Sequence, residues 1–235
     1  VNLVRCAWAG SQRYGALVWS GDVHSTYEDL RKQICAGLHM GLAGIPWWTT
    51  DIGGFHGGNI YDPKFHEILV RWFEFGTFCP VMRLHGFREP FKEALGSTGG
   101  GKHISGAENE VWSYGDEVYE ICKKYMNLRE KMRPYVRKLM KEAHEKGTPI
   151  MRPLFYDFPD DEQAWEIEDQ YMFGPEMLVA PILYADVRER VLYLPDGTWR
   201  NICNGEVYQG KQRITVAAPI DQLPVFVKDG ALEEL

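Results

Sequence analysis

Two aspartates, each closing an apolar aromatic run, are the residues of this chain best placed to do chemistry. Asp22 ends the run 15–21, and Asp51 ends the run 44–50 about thirty residues later. A strand that ends in this way delivers a carboxylate to the loop that follows it. Two carboxylates among tryptophans suit glycoside hydrolysis, in which one acid protonates the leaving oxygen and another attacks the sugar or activates water.

Aromatic rings flank both acids and could pack on the apolar faces of a sugar. Because adjacent strand residues face opposite sides, at least one of Trp47 and Trp48 should fill the core. A third run, 78–86, contains Arg83 and His85, whose side chains could bind hydroxyl groups. The aromatic candidates are Trp19, Trp47, Trp48 and Phe55.

The alternative for each single aspartate is structural, because an Asp close to Gly is most often part of a turn. The first two runs and 78–86 all end in polar groups and are each followed by a helical pattern or a long loop. In a parallel barrel such strand ends converge, although they are far apart in sequence. This repetition favours a common pocket over three unrelated turns.

Helical patterns follow the first two runs. Residues 25–28 have capping-box spacing and predict an amphipathic helix that ends near 41–44. Asp62 is a predicted N-cap with Pro63 at the first helical position, and the apolar face of this second helix extends to Gly76. A helical region should start near 107. From 116 to 147 the pattern is helical, with an interruption at 133–134.

The strand predictions divide the chain into two parts. Strand–loop–helix units imply parallel strands with helices outside, so an α/β fold is expected for residues 1–168. Residues 169–235 should form a small all-β domain. The predicted strands are 2–8, 14–19, 44–50, 78–86, 149–155, 170–182, 188–194 and 213–227.

Composition excludes several classes of partner. The net charge of -7 comes from 26 basic and 33 acidic residues spread without blocks, which argues against nucleic acid. No apolar run is long enough for a membrane helix, so no membrane partner is expected. We predict no cofactor and no metal, since the seven histidines show no metal-binding spacing.

Two further motifs carry no chemistry. Residues 96–102 match the first positions of a phosphate-binding loop, but His103 stands where Ser or Thr should follow, and no strand precedes them. The five cysteines are widely spaced and odd in number, so they predict buried thiols and no disulfide framework. This pattern permits both a cytoplasmic and a periplasmic location.

Three motifs together resemble glycoside hydrolase family 31: Trp19-Ser20-Gly21-Asp22, residues 48–55 and Met82-Arg83-Leu84-His85-Gly86. The resemblance extends through 147–154 and 171–181. It implies the C-terminal half of a (β/α)8 TIM barrel followed by a small all-β sandwich domain. The family contains α-glucosidases, α-xylosidases and transglycosylases. The sequence of residues 48–51 resembles that of the α-xylosidases more than that of the other members.

The resemblance also implies roles for individual residues. Asp22 would be the general acid/base of a retaining exo-α-glycosidase that releases terminal α-linked glucose or xylose from oligosaccharides or other α-glycosides. Arg5 is less certain than the other binding residues, because the stretch from it to Asp22 is one residue longer than in relatives, and Arg13 is its rival. The implied substrate-binding residues are Arg5, Trp19, Trp48, Asp51, Phe55, Arg83 and His85.

The family nucleophile belongs to an upstream motif that these 235 residues lack. From the residues alone Asp51 would be the nucleophile, and the resemblance replaces it with an aspartate of a missing N-terminal half. That half is then a required partner, and residues 1–235 alone should be inactive and should not stay soluble as a folded monomer. A cooperative unfolding transition of the monomeric chain would contradict this. The alternatives are an α-transglycosylase and a non-catalytic carbohydrate-binding relative.

Overall fold

A computed structural model describes residues 1–233 and 235. Its N-terminal part alternates short strands with helices, and three single turns of 3-10 helix lie in the loops at Ser11–Tyr14, Gly99–Lys102 and Val111–Tyr114. The elements are β1 (Asn2–Val4), β2 (Ala16–Trp19), α1 (Tyr27–Leu42), β3 (Trp48–Thr49), β4 (His56–Asn59), α2 (Pro63–Thr77), β5 (Phe87–Lys92), β6 (Ser105–Ala107), α3 (Asp116–Lys131) and α4 (Arg133–Lys146).

The helices begin and end close to the predicted positions. Thr26 caps α1 by accepting a hydrogen bond from the Asp29 amide at 3.1 Å, one residue later than the predicted capping box. Asp62 caps α2, with Pro63 in the first turn, as its sequence predicts. The predicted interruption separates α3 from α4. The helical region expected from about 107 instead holds a strand and a 3-10 turn before α3 begins.

Strands β1, β2 and β3 form a parallel sheet in that order, as the strand–loop–helix units predict. The three strands are shorter than predicted, because only two to four residues of each are hydrogen-bonded to a neighbour. The prediction of a strand over 78–86 is wrong. This segment is irregular, and its one ladder contact is the parallel bridge between Ile52 and Leu84.

The C-terminal part is mainly antiparallel β-structure with two one-turn helices. The turn predicted at 195–197 joins two strands, the second of which the sequence pattern does not predict. The elements are β7 (Met151–Arg152), α5 (Leu154–Asp157), α6 (Glu162–Trp165), β8 (Tyr171–Phe173), β9 (Met177–Val179), β10 (Glu189–Leu194), β11 (Thr198–Asn201), β12 (Val207–Gln209), β13 (Gln212–Ala217) and β14 (Val225–Lys228).

An antiparallel sheet of six strands has the order β12-β11-β14-β9-β8-β7. Its strands β7, β8 and β9 are buried on both faces. Successive side chains of a strand point to opposite faces. Tyr171 and Phe173 of β8 therefore join the core shared with the α/β part, whereas Met172 joins a second core with Leu192 of β10. Strands β10 and β13 pair as the second layer of the sandwich. The two parts of the chain thus share one continuous core.

Strand β7 lies on the N-terminal side of the predicted domain boundary at 168/169 and pairs with β8 beyond it. The boundary itself stays a prediction. The buried-thiol prediction is correct for Cys79 and Cys122 and wrong for the other three cysteines, which are exposed. Within residues 1–233 and 235, no helix combines the length and the apolar character that crossing a membrane requires.

Candidate active site

The register of the parallel sheet determines which loops lie together at the site. Val4 of β1 pairs with Val18 of β2, and Val18 pairs with Trp48 of β3. The three strands therefore end at the same level. Because the loops after parallel strands lie on one edge of the sheet, this register brings the residues that follow β1, β2 and β3 to a common edge.

The same register decides which tryptophan faces the site. Residues paired across parallel strands point to the same face, so Trp48 shares the face of Val18, and Trp19 shares the face of Thr49. Trp48 is 2% exposed and lies in the core. A Cβ atom added to Gly37 of α1 would lie only 3.0 Å from the Trp48 ring. Trp48 therefore packs against α1, a position that argues against its predicted role in substrate binding.

Asp22 lies three residues beyond the end of β2, and its side chain is 32% exposed. Arg5, just beyond β1, places Nη1 3.4 Å from Asp22 Oδ2. Arg13, the rival candidate, lies in the 3-10 turn between β1 and β2 and is exposed. The geometry therefore places Arg5 beside the candidate acid.

Asp51 lies two residues beyond β3, and its side chain is fully buried. Arg83 donates a hydrogen bond from Nη2 to Asp51 Oδ1. The pKa of Asp51 is raised above its usual value, chiefly by burial, and the Arg83 guanidinium opposes this change. The negative charge of Asp22 adds to the increase. Asp51 is thus held as an ion pair, and its pKa responds to the charge on Asp22.

The second carboxylate oxygen of Asp51 can still accept a hydrogen bond. Among the residues that the structure describes, Oδ2 is buried without a hydrogen-bond partner. A buried carboxylate oxygen without a partner is costly, and an incoming hydroxyl group would satisfy it. The arrangement can therefore fix one end of a polar ligand while Arg83 holds the other carboxylate oxygen.

Phe55 and His85 complete the candidate set. Their ring centroids are 5.5 Å apart with planes tilted by 33°, Phe55 being half-buried and His85 exposed. Backbone hydrogen bonds connect their loops to the loop of Asp22: the Phe55 amide donates to Val23 O at 2.7 Å, and the Phe87 amide donates to Phe55 O at 2.8 Å. Hydrogen bonds therefore join the loop after β2 to the loop after β3, and this second loop to the start of β5.

Contacts connect six of the eight predicted site residues in this region, and Trp48 lies in the core. Trp19, on the face opposite Trp48, is half-buried. Sequence reasoning missed Arg88 in β5, which is fully buried beneath the loop that follows Asp51. No local pattern marks it, because its acceptors are mostly carbonyl groups more than thirty residues earlier in the chain.

The structure gives no support to a metal or phosphate site. Across residues 1–233 and 235, no group of three or more His, Cys, Asp or Glu side chains is arranged to hold a metal ion. The stretch 96–102 that resembles a phosphate-binding loop is almost entirely exposed and includes the 3-10 turn Gly99–Lys102.

Comparison with known families gives two matches that together cover most of the chain. Residues 1–139 match the glycosyl hydrolases family 31 TIM-barrel domain. Residues 147–232 match the glycosyl hydrolase family 31 C-terminal domain. The first match ends within α4, and the second begins directly after this helix, just before β7 and the antiparallel sheet.

Individual proteins with high similarity carry α-glycosidase names. A GH31 α-xylosidase from a soil metagenome, solved in complex with xylose, is 56% identical, with a TM-score of 0.96 over 100% of this chain and 35% of its own. The α-xylosidase of Saccharolobus solfataricus is 40% identical over 99% of this chain and 29% of its own length. Alpha-glucosidase 2 of Bacillus thermoamyloliquefaciens is 36% identical over 97% of this chain and 26% of its own length.

The chain thus spans between about a quarter and about a third of the length of these relatives. The matched third contains the region in which Arg5, Asp22, Asp51 and Arg83 meet.

Proposed function

The chain belongs to glycoside hydrolase family 31, and from this premise we propose that it carries the general acid/base, Asp22, of a retaining α-glycosidase. The proposed substrates are α-xylosides or α-glucosides with the sugar at the non-reducing end. The protein that contains this chain would act by double displacement, with its nucleophile supplied by a carboxylate upstream of the matched region.

One observation carries the assignment of Asp22: the two strand-end carboxylates differ in access. Asp22 is 32% exposed, whereas Asp51 has no exposed surface and is paired with Arg83. A general acid must reach the oxygen that it protonates, within about 3 Å of it. Asp51 also has a pKa raised by burial, but its carboxylate is occupied on one side by Arg83. Asp22 is therefore the proton donor, and Asp51 binds the sugar.

In the first step the upstream carboxylate attacks the anomeric carbon while Asp22 gives its proton to the glycosidic oxygen. The bond between the anomeric carbon and that oxygen breaks, and the leaving group departs as an alcohol. In the second step the Asp22 carboxylate takes a proton from water as the water oxygen attacks the anomeric carbon. The bond between the anomeric carbon and the upstream carboxylate breaks, and that carboxylate leaves as the free anion. The sugar is released with its original configuration, and Asp22 is again protonated.

The other residues would bind the sugar in the cleaved position. Oδ2 of Asp51 is buried and has no partner in the described part of the chain, so it would accept a hydrogen bond from a sugar hydroxyl once the neighbouring side chains move aside. Arg83, Arg5 and His85 would donate to other sugar oxygens. Trp19 and Phe55 would pack on its apolar face. The names of the similar proteins favour xylose, and glucose is the second candidate.

Azide rescue tests the proposal in the full-length protein that contains this chain. The enzyme and its Asp22→Ala variant are compared on p-nitrophenyl α-xyloside and α-glucoside. We expect a loss of about 100-fold or more, because general acid–base catalysis contributes roughly 10²–10⁴-fold. Azide should restore turnover and give the α-glycosyl azide, since it attacks the covalent intermediate without needing a base.

Asp160→Ala is the matched control, because Asp160 is an exposed aspartate of the C-terminal part. It should retain wild-type activity without azide. Absence of rescue, or formation of the β-glycosyl azide, would show that Asp22 is not the acid/base. A wild-type protein that binds either sugar without cleaving the glycosides would support the non-catalytic alternative.

A further inference from the structure

Arg88 is a fully buried cation that donates hydrogen bonds to backbone carbonyl groups of the candidate site. Its shortest contacts run from Nη1 to Gly54 O at 2.8 Å and from Nη2 to Ile52 O at 3.0 Å. Both acceptors belong to the turn that follows Asp51. Within residues 1–233 and 235 Arg88 forms no salt bridge, so carbonyl dipoles take the place of a counter-ion. A guanidinium with five donors suits such a cluster of acceptors.

Two further contacts fix the guanidinium from other directions. Nε donates to Asn109 Oδ1 at 3.0 Å, and the group lies 4.9 Å from the ring centroid of Phe65 in α2. These contacts limit how far the side chain can move. Arg88 therefore holds the turn after Asp51 against the rigid helix α2.

Two motif glycines make room for Arg88. A Cβ atom on Gly53, whose φ is +84°, would lie 2.8 Å from Arg88 Nη2, and one on Gly86 would lie 2.4 Å from Arg88 Cζ. Both distances are shorter than a carbon atom can approach without displacing its neighbour. The glycines of residues 51–55 and 82–86 thus shape the backbone around a buried cation, in addition to forming turns.

Arg88 also reaches the loop of Asp22. Its Nη1 lies 3.2 Å from Ser25 Oγ, three residues after Asp22, and the Ser25 amide donates to His56 O at 2.9 Å. A Cβ atom on Gly54 would lie 2.7 Å from the backbone of His24. The two carboxylate-bearing loops are therefore in contact, and Arg88 bridges them.

We propose that Arg88 is the positioning residue that sets Asp22 relative to Asp51, through Ser25 on one loop and the carbonyls of Ile52 and Gly54 on the other. This inference rests on the proposed function of Asp22. Arg88 has no exposed surface, so it acts through other residues and does not touch substrate. A displacement of about 1 Å at a reacting group can cost roughly 100-fold in rate.

Leaving-group dependence separates positioning from general stability. The 2,4-dinitrophenolate group leaves its α-glycoside without being protonated. The phenolate group of a phenyl α-glycoside must be protonated by the general acid to leave. Arg88→Lys should lower kcat/KM for the phenyl substrate by about 100-fold. It should lower kcat/KM for the dinitrophenyl substrate by about tenfold or less. Ser25→Ala, which removes only the bridge to the Asp22 loop, should lower the phenyl value alone, by about tenfold.

Arg129→Lys is the matched control in the full-length protein. Arg129 is half-buried and also donates to three backbone carbonyls, those of Thr77, Cys79 and Pro80, but none belongs to the loops after β2 or β3. It should lower the thermal midpoint without changing the ratio of the two kcat/KM values. Equal losses on both substrates in Arg88→Lys would overturn the inference.

Hydrogen exchange gives a readout that does not depend on activity. In Arg88→Lys, amides of the segments 52–56 and 23–25 should exchange faster together, and Arg129→Lys should leave both segments at wild-type rates. Unchanged exchange in both segments would overturn the inference, even in a protein that cleaves neither glycoside. Failure of azide rescue in Asp22→Ala, in contrast, would overturn the proposed function alone.

Discussion

Arg83 donates from Nη2 to Oδ1 of Asp51, joining an irregular segment before β5 to the end of β3. The amide of Ile52, the residue after Asp51, donates to Arg83 O at 3.2 Å, so a backbone hydrogen bond lies next to the ion pair. Asp51 is fully buried, and Arg83 is the nearest group that opposes the effect of burial on its pKa. The pair holds the Asp51 carboxyl group in a fixed position in the same region as Asp22.

Replacing Arg83 should therefore change the pH dependence of activity. Arg83 lowers the pKa of Asp51, so Arg83→Gln should raise this pKa further and leave Asp51 protonated at pH values where the wild type is ionised. We expect kcat/KM to fall by about 100-fold and its acid limb to move to higher pH. The measurement is kcat/KM for p-nitrophenyl α-xyloside from pH 4 to pH 8.

Arg83→Lys keeps the positive charge and is the control. Its acid limb should stay closer to that of the wild type, even where kcat/KM is reduced. An acid limb in Arg83→Gln that coincides with the wild-type limb would show that ionised Asp51 is not required.

The two candidate arginines of the β1–β2 region should behave differently. Both arginines are exposed, but Arg5 lies 3.4 Å from Asp22, whereas Arg13 lies in the 3-10 turn and forms no salt bridge with a described residue. Arg5→Gln should reduce kcat/KM by about tenfold or more, because it removes a positive charge beside Asp22 and a donor to the sugar. Arg13→Gln should change it by less than about twofold, as is usual for an exposed charge without a partner. The reverse order would make Arg13 the binding residue.

Substitution of Trp48 should affect mainly stability, and substitution of Trp19 should affect mainly substrate binding. Trp48→Leu leaves a cavity between β3 and α1, so we expect a destabilisation of about 2–4 kcal/mol, a lower thermal midpoint and an unchanged KM. Trp19→Leu should raise KM by about tenfold with a smaller change in thermal midpoint. Thermal unfolding and steady-state kinetics on the same preparations decide this. A raised KM without loss of stability in Trp48→Leu would indicate that Trp48 binds substrate.

Glu74 should make stability depend on pH near neutrality. This fully buried residue of α2 pairs with Arg71 at 3.0 Å, and Arg71 donates to Ala218 O in the C-terminal part at 2.8 Å. Burial raises the pKa of Glu74 to about 7, although Arg71 opposes the change. Because the folded pKa lies above the unfolded one, the folded state binds more protons between about pH 4.5 and 7, and its stability falls as pH rises through this window.

Glu74→Gln removes this titration. Relative to the wild type, the variant should gain in thermal midpoint as pH rises from 5 to 8. Glu130→Gln, which breaks an exposed pair with the same i,i+3 spacing, should show no such trend. A constant difference between Glu74→Gln and the wild type across this range would show that Glu74 does not titrate there.

Local patterns predicted the elements whose signals lie within one turn or one period. The caps of α1 and α2, the proline in the first turn of α4 and the apolar faces of these helices are all short-range features. The bounds of the helices were therefore predicted to within about a residue or two. Asp22 and Asp51 could also be selected, because the end of an apolar run is visible in the sequence.

Tertiary structure decided the features that depend on partners far away in the chain. Trp47 and Trp48 are equivalent in the sequence, and only the pairing of Trp48 with Val18 turns Trp48 towards α1. Residues 78–86 have the composition of a strand. Their ladder contact is limited to one bridge, and carbonyls at 77, 79 and 80 accept hydrogen bonds from Arg129.

Arg88 shows the same limit most clearly. Its acceptors include main-chain carbonyls of Ile52 and Gly54, and a carbonyl group carries no signature of residue type. The amino-acid sequence therefore determined which carboxylates stand at strand ends and where the helices begin. The strand register and a buried guanidinium decided which side chains meet, because hydrogen bonds to the backbone depend on position in space and not on the identity of the accepting residue.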